Sequence, residues 1–325
     1  MRLLLVRHGE TVDNAAGVYA GVTDSALTSH GVLQANRLGM HLAISEVKIA
    51  HIFSSDLQRA VNTAEAIRVA QLPRSSSTTQ LKILREQDFG FYEGKQFFER
   101  PRGNSQSGKD AHMEAQRNNP GFKDVETKPA MAARADTFIE GYLVRLFTGV
   151  PHDETVVIVA HGIILTYLWR GVLKRFHPAS IHLVPGVHAT LRGSLEYLGG
   201  WSNTGYLDLD VRPLQTTASR ANPVPPQTSN TDTVSPASAI KYRSVMSAHP
   251  TQVDDEPAPP NPLSLPTAPS QPSQHLPDMS LVIKAVNCQE HMEGLKKTRG
   301  GIGNLKHDSS QQTVDSYFSK KRRTE

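Results

Sequence analysis

Two apolar runs constrain this chain more than any other feature, because both end in the same pair of residues. Leu3-Leu4-Leu5-Val6-Arg7 leads into His8-Gly9, and Thr155-Val156-Val157-Ile158-Val159-Ala160 leads into His161-Gly162. A short continuous apolar run suits a strand buried on both faces, as in a parallel sheet covered by helices. Helical spacing follows in Val32, Leu33, Leu38, Leu42 and Ile44, and again in Leu57, Ala60, Val61, Ala64 and Ile67 behind the cap candidates Ser54-Ser55-Asp56. Residues 130–147 and 163–172 repeat the pattern, and further strands are expected at 49–53, 81–84 and 204–209. Strands alternating with helices predict a three-layer α/β domain, its largely parallel central sheet carrying helices on both faces.

In such sheets ligands bind beyond the carboxyl ends of the strands. His8 and His161 both stand there, each followed by a glycine that would let a ligand approach the backbone. A lone histidine is ordinarily a surface or hydrogen-bonded core residue, and we read His30, His41, His51, His152, His177 and His182 that way. Two in matched positions point to chemistry. Arg7 adjoins His8, and Arg59 falls in the first turn of a helix after the second strand. Guanidinium groups match phosphate oxygens with paired donors, so the strand ends read as a phosphate site. The chain has no Gly-x-x-x-x-Gly-Lys-Ser/Thr loop and no Asp-rich cluster, so neither a nucleotide P-loop nor a metal is expected, and no cofactor is called for.

Composition divides the 325 residues. The stretch 211–280 holds 14 of the 21 prolines and one aromatic, Tyr242, and a segment so poor in apolar surface is expected to be disordered. The net charge is +4, and the excess of Lys and Arg falls in residues 281–325. We therefore expect a folded domain over 1–210, a Pro/Ser/Thr-rich linker over 211–280 and a basic tail over 281–325. A single cysteine, Cys288, excludes a disulfide scaffold and suits a reducing compartment, nuclear or cytoplasmic. No apolar run approaches a membrane span, and Arg7-His8-Gly9-Glu10 interrupts the N-terminal run too early for a signal peptide.

The motifs together resemble a known family. Leu5-Val6-Arg7-His8-Gly9-Glu10-Thr11-x-x-Asn14 is similar to the signature of the histidine phosphatase superfamily, which contains the cofactor-dependent phosphoglycerate mutases. Gly21-x-x-Asp24-x-x-Leu27-Thr28-x-x-Gly31, then Phe53 to Ala64 with Arg59, then Leu84-Arg85-Glu86-x-Asp88-Phe89-Gly90-x-x-Glu93-Gly94, and finally Val157 to Gly162 continue the likeness in order. The resemblance implies that His8 is the nucleophile, forming a phosphohistidine. Arg7, Arg59 and His161 would bind the phosphoryl oxygens, and Asn14 would add an amide donor. Glu86 would protonate the leaving oxygen and then activate water. No match to the mutase segment is found after the acid loop, which favours a phosphatase acting on a phosphorylated small molecule or phosphoprotein; a mutase, or a weakly active adaptor subunit of a nuclear complex, is the alternative. Glu126, with Arg134 beyond it, resembles an acid of the phosphatase branch, and Asn203 resembles an asparagine at the site edge. Residues 95–127 read as a polar insertion over the site.

The C-terminus carries a separate pattern. Gln311-x-x-Val314-x-x-Tyr317-Phe318 resembles the box with which partners engage a sliding clamp of the PCNA type. One 3₁₀ turn would gather Val314, Tyr317 and Phe318 into an apolar plug, with Gln311 at its edge. Lys320-Lys321-Arg322-Arg323 reads as an import signal or a weak, salt-sensitive contact with nucleic acid.

Overall fold

The computed structural model describes residues 1–71, 77–96, 121–187, 194–214 and 276–296. Seven strands form one sheet: β1 (Arg2–Arg7), β2 (Lys48–Ser54), β3 (Thr79–Gln80), β4 (Glu154–Ala160), β5 (Ile181–Leu183), β6 (Tyr206–Pro213) and β7 (Met279–Cys288), in the order β3-β2-β4-β1-β6-β7-β5. β3, β2, β4 and β1 pair in parallel, as do β7 and β5, while β6 runs antiparallel to both its neighbours. The sheet is thus mostly parallel, as the sequence pattern predicts.

The helices are α1 (Val12–Ala16), α2 (Ser29–Ile44), α3 (Gln58–Ala70), α4 (Lys128–Phe138), α5 (Val144–Gly149) and α6 (Gly162–Leu173), with a π-helical turn at Ile139–Leu143 joining α4 to α5. The continuous apolar runs divide by alternation. Leu4, Val6, Val157 and Val159 face α2 and α3, where Leu38, Leu42, Ala60, Ala64 and Ile67 are buried. Leu3, Leu5, Val156 and Ile158 face the other layer, packed on Phe138, Leu143, Leu165, Leu168 and Trp169. This double burial is why β1 has no polar residue between its ends and β4 has only Thr155, itself buried.

Three sequence expectations change. Residues 81–84 do not form a strand: after the two-residue β3 the chain turns through a 3₁₀ helix at Lys82–Leu84, which carries Arg85 to a paired hydrogen bond with Asp56 (2.7 Å each). Asp56 is therefore no cap. The N-cap of α3 is Leu57, and Asp24 from a distant loop accepts the Gln58 N–H at 2.8 Å instead. The largest change concerns the tail expected over 281–325. Residues 279–288 form β7, pairing with β6 on one side and β5 on the other, and a 3₁₀ turn follows at Glu290–Met292. Leu281 and Ile283 are fully buried in the main core, so this alternating strand belongs to the folded domain despite the low-complexity stretch before it.

The loop leaving β1 packs tightly on the start of α2. A Cβ on Gly31 would lie 2.0 Å from the Glu10 carbonyl oxygen, and one on Gly9 would lie 2.6 Å from the Gly31 oxygen. Both obstacles are backbone, which cannot swing away. Gly31→Ala is expected to lower stability by about 1–3 kcal/mol and to reduce any activity that depends on His8. Urea unfolding checks this, and an unchanged midpoint would contradict the packing.

Candidate active site

The parallel pairing of β1 and β4 sets Arg7 opposite Ala160, so His8 and His161 emerge side by side at the strands' carboxyl ends. The His8 N–H donates to the Ala160 oxygen at 3.0 Å, and the two rings stand 5.0 Å apart between centroids. Both residues are buried. Beside them lies a cavity of about 390 Å³ whose lining includes Arg7, His8, Asn14, Arg59, Glu86 and His161. All six residues expected at the catalytic and phosphate-binding positions thus come together.

The tautomers follow from partners that can act in only one way. His8 Nδ1 lies 2.7 Å from the Gly9 carbonyl oxygen. A carbonyl only accepts, so Nδ1 carries the proton and Nε2 keeps a lone pair. His161 is the reverse. Its Nδ1 accepts from Arg59 Nε at 3.1 Å, so in the neutral ring Nε2 carries the proton, and this buried atom has no partner. Both rings are held neutral. Burial pushes the pKa of each well below the ordinary value of 6.5, and the charges of Arg59 and Arg7 push the same way; for His8 the Gly9 carbonyl opposes.

Arg59 is almost wholly buried. Its Nη1 donates to Thr23 O at 2.8 Å and its Nη2 to Gly21 O at 2.6 Å, so with Nε on His161 three of its five N–H groups are used and two are left for a ligand. Arg7 spends Nη1 on Trp201 O at 2.6 Å, and its buried Nε has no partner. Burial lowers both guanidinium pKa values and Glu86 opposes, but an arginine stays charged regardless. Two unpartnered buried donors, Arg7 Nε and His161 Nε2, are costly unless an acceptor fills the site. A phosphoryl group supplies acceptor oxygens and charge of the right sign.

Glu86 is fixed at the start of α6. Its carboxyl oxygens accept from the Ile163, Ile164 and Gln87 N–H groups at 3.1, 3.2 and 3.0 Å. Asn14 holds its side-chain oxygen against Thr11 N–H and Asn203 Nδ2, which turns its amide NH₂ to other uses. Asn203 does not line the cavity. It donates to both the His8 carbonyl (3.1 Å) and Asn14 (3.0 Å), and so positions them. Glu126 is likewise not at the phosphate crevice, but it lines a neighbouring cavity that shares Tyr19 and Phe89 with it. It forms a two-point ion pair with Arg134, whose other bonds reach the carbonyls of Ile83 and Arg85, so the pair braces the loop carrying Glu86. Gly9 also differs from expectation: protein backbone, not open space, faces its missing Cβ, while that of Gly162 meets only Arg7 Nε at 4.0 Å. Gln311, Val314, Tyr317 and Phe318 lie outside the described residues, as do 97–120 of the expected insertion.

Several contributors had no role in the sequence reading. Glu93 accepts from the Val22 N–H (2.8 Å) and the Thr23 hydroxyl, shaping the loop whose carbonyls hold Arg59. Gly21 must lack a side chain there, since it has a φ of +55° and its Cβ would meet Glu93 Oε1 at 2.1 Å. Thr63 accepts the Gly9 N–H at 3.0 Å. Tyr19 and Phe89, with ring centroids 4.6 Å apart, stand between the phosphate crevice and a second cavity of about 370 Å³. Gly21 and Glu93 fall inside the motifs, but only the fold shows what they hold.

The crevice thus joins a buried arginine, a half-buried one and two neutral histidines at the carboxyl ends of a parallel sheet. The sequence pattern of the histidine phosphatase superfamily (branch 1) matches residues 3–199, and the chain belongs to that family. A probable phosphatase of Schizosaccharomyces pombe is 34% identical over 182 residues, 53% of this chain and 56% of its own length. A probable phosphoglycerate mutase GpmB of Erwinia tasmaniensis is 31% identical over 173 residues, 53% of this chain and 75% of its own. Among solved structures, a mycobacterial glucosyl-3-phosphoglycerate phosphatase aligns with 65% of this chain and 92% of its own at 25% identity, with a TM-score of 0.45. This chain spans little more than half the length of the S. pombe relative.

The depressed histidine pKa values carry a sign. A histidine that folds neutral leaves the unfolded chain binding more protons below its ordinary pKa, so the stability it contributes is complete above about pH 6.5 and is lost as pH falls toward the folded value. Urea midpoints are expected to decline from pH 7 to pH 5. Over the same window His8 stays unprotonated in the free protein, so the acid limb of kcat/KM for phosphate-ester cleavage is expected below pH 6.5. A limb at or above 6.5 would contradict the burial argument.

Proposed function

We propose that the chain is a phosphomonoester hydrolase working through a phosphohistidine on His8. The observation that carries this is the opposed tautomer pair: one ring has a free Nε2 lone pair, and its neighbour has a free Nε2–H. His8 Nε2 forms a bond to phosphorus as the bond from phosphorus to the ester oxygen breaks, and Glu86 gives that oxygen a proton. Glu86, now a carboxylate, takes a proton from water. The resulting hydroxide displaces His8 from phosphorus, and inorganic phosphate leaves with the histidine neutral again. Arg7, Arg59, Asn14 and the His161 Nε2–H bind the equatorial oxygens as charge spreads over them. Positive charge from this chain's own arginines is enough for these steps, and a metal ion has no part in them.

The leaving group would face Tyr19 and Phe89 and, past them, the second cavity, which Tyr92 and Tyr167 also line. Such walls favour an alcohol with flat or apolar surface. A mutase would have to keep water from the phosphohistidine, and the segment with which mutases do so has no counterpart in the sequence. An adaptor that has lost activity has less support, since the site keeps every group the chemistry uses. The clamp-type box and nuclear placement rest on sequence alone and contribute nothing to the proposed chemistry.

The full-length protein is expected to release phosphate from an aryl phosphate in the presence of EDTA, and His8→Ala is expected to lose that turnover by about 10³-fold or more. Turnover of similar size in His8→Ala, or complete loss on adding EDTA to the wild type, would overturn the mechanism.

A further inference from the structure

We propose that Asn287 and His291, beyond the last strand's buried core, are positioning residues of the active site: they hold the 201–205 loop in the shape that presents Arg7, His8 and Asn14 to a phosphoryl group. The proposal rests on the phosphoryl-site reading above and extends it to a part of the chain past the family match, which ends at residue 199.

The 201–205 loop touches the catalytic strand at every residue but one. Trp201 O accepts from Arg7 Nη1. Asn203 Nδ2 bridges His8 O and Asn14. Thr204 N–H donates to the carbonyls of Arg7 (3.0 Å) and His8 (3.2 Å), and Arg7 N–H donates to Gly205 O at 3.1 Å. The exception is Ser202, and Asn287 holds it: Ser202 N–H donates to Asn287 Oδ1 at 2.9 Å, and Asn287 Nδ2 donates to Ser202 Oγ at 3.0 Å. The fit is close enough to dictate a neighbour, since a Cβ on Gly205 would lie 2.2 Å from Asn287 Oδ1.

His291 supplies the second hold. The Thr204 hydroxyl donates to Asn203 O at 2.7 Å, so the 2.8 Å contact between Thr204 Oγ1 and His291 Nε2 is a bond donated by the imidazole. Thr204 needs such support. It is a β-branched residue at a φ of 56°, where strain persists only if the surroundings over-determine it. Burial, with His41 and Arg37 adding to it, lowers the His291 pKa to about 4, so the ring is neutral and its one proton sits on the Nε2 that the hydroxyl contact uses. The 3₁₀ turn carrying His291 is itself tied to α2, where Arg37 Nη1 donates to Glu293 O at 2.9 Å.

Asn287 also sits at positive φ, 47°, so Asn287→Gly removes the side chain and leaves the backbone at ease. Asn287→Asp keeps an acceptor for Ser202 N–H and a second oxygen to which the serine hydroxyl can donate. In the full-length protein, calorimetry with inorganic phosphate is expected to show Asn287→Gly binding about tenfold more weakly than wild type, with kcat/KM toward an aryl phosphate falling in parallel and little change in Tm. Asn287→Asp is expected to stay close to wild type in both. A folded Asn287→Gly protein that binds phosphate as wild type does would overturn the proposal and leave the phosphate site itself standing. A wild type that binds no phosphate would overturn both. Should Asn287→Gly fail to fold, hydrogen exchange on the wild type decides. Linkage requires phosphate to slow exchange in residues 279–292 if they support the site, and unchanged exchange there would overturn the assignment.

Discussion

The site depends on one constraint: two imidazoles side by side must be neutral and must show opposite faces of their acid–base chemistry. A carbonyl against His8 Nδ1 and a guanidinium against His161 Nδ1 impose this without any ligand. Neither partner can reverse its role. The rest of the fold serves the placement. Adjacent parallel strands put the two rings 5.0 Å apart, and burial in the sheet's carboxyl edge keeps a second proton off each. A single charged imidazole would have little use as a nucleophile, and two would repel each other and the arginines.

Arg59 is the joint between this pair and the rest of the domain. A buried guanidinium is expensive unless its donors are met. Here the carbonyls of Gly21 and Thr23 meet two of them, and Glu93 shapes the loop that bears those carbonyls. Asp24 in the same loop caps the helix on which Arg59 stands. One short loop thus fixes both the head and the base of the residue. The Glu126–Arg134 pair does the same for the Glu86 loop from below. Arg59 and Glu86 are therefore braced by acids, Asp24, Glu93 and Glu126, that do not line the phosphate crevice, which is how a site keeps its geometry within the tolerance that catalysis requires.

Much of this was legible in the sequence, and the exceptions have physical reasons. Strands buried on both faces announce themselves as apolar runs, so β1 and β4, and with them His8 and His161, could be placed directly. Arg59 was legible because a helix start recurs after the second strand. Glu126 and Asn203 resemble edges of the site, and Glu126 does line the neighbouring cavity, but the bracing they supply through ion pairs and main-chain bonds leaves no periodic trace. The short β3 and the 3₁₀ turn at Lys82–Leu84 differ from a strand only by a bend that tertiary contacts impose. β7 is obscured in the sequence for another reason. Leu281 to Val286 is apolar but for Lys284, yet it lies between a long low-complexity stretch and a basic one, and composition there masks the short apolar run. Since loop closure cost grows only slowly with length, a strand can join its sheet across such a connector.

The account stands or falls on which atom carries the phosphoryl group during turnover. Rapid quenching of the wild-type protein with an aryl phosphate, followed by peptide mass analysis under alkaline conditions that preserve phosphohistidine, tests it directly. The account predicts phosphate on His8 and none on His161, whose lone pair is already engaged by Arg59. A phosphoryl group on His161, or hydrolysis with no phosphoenzyme on any histidine, would contradict it.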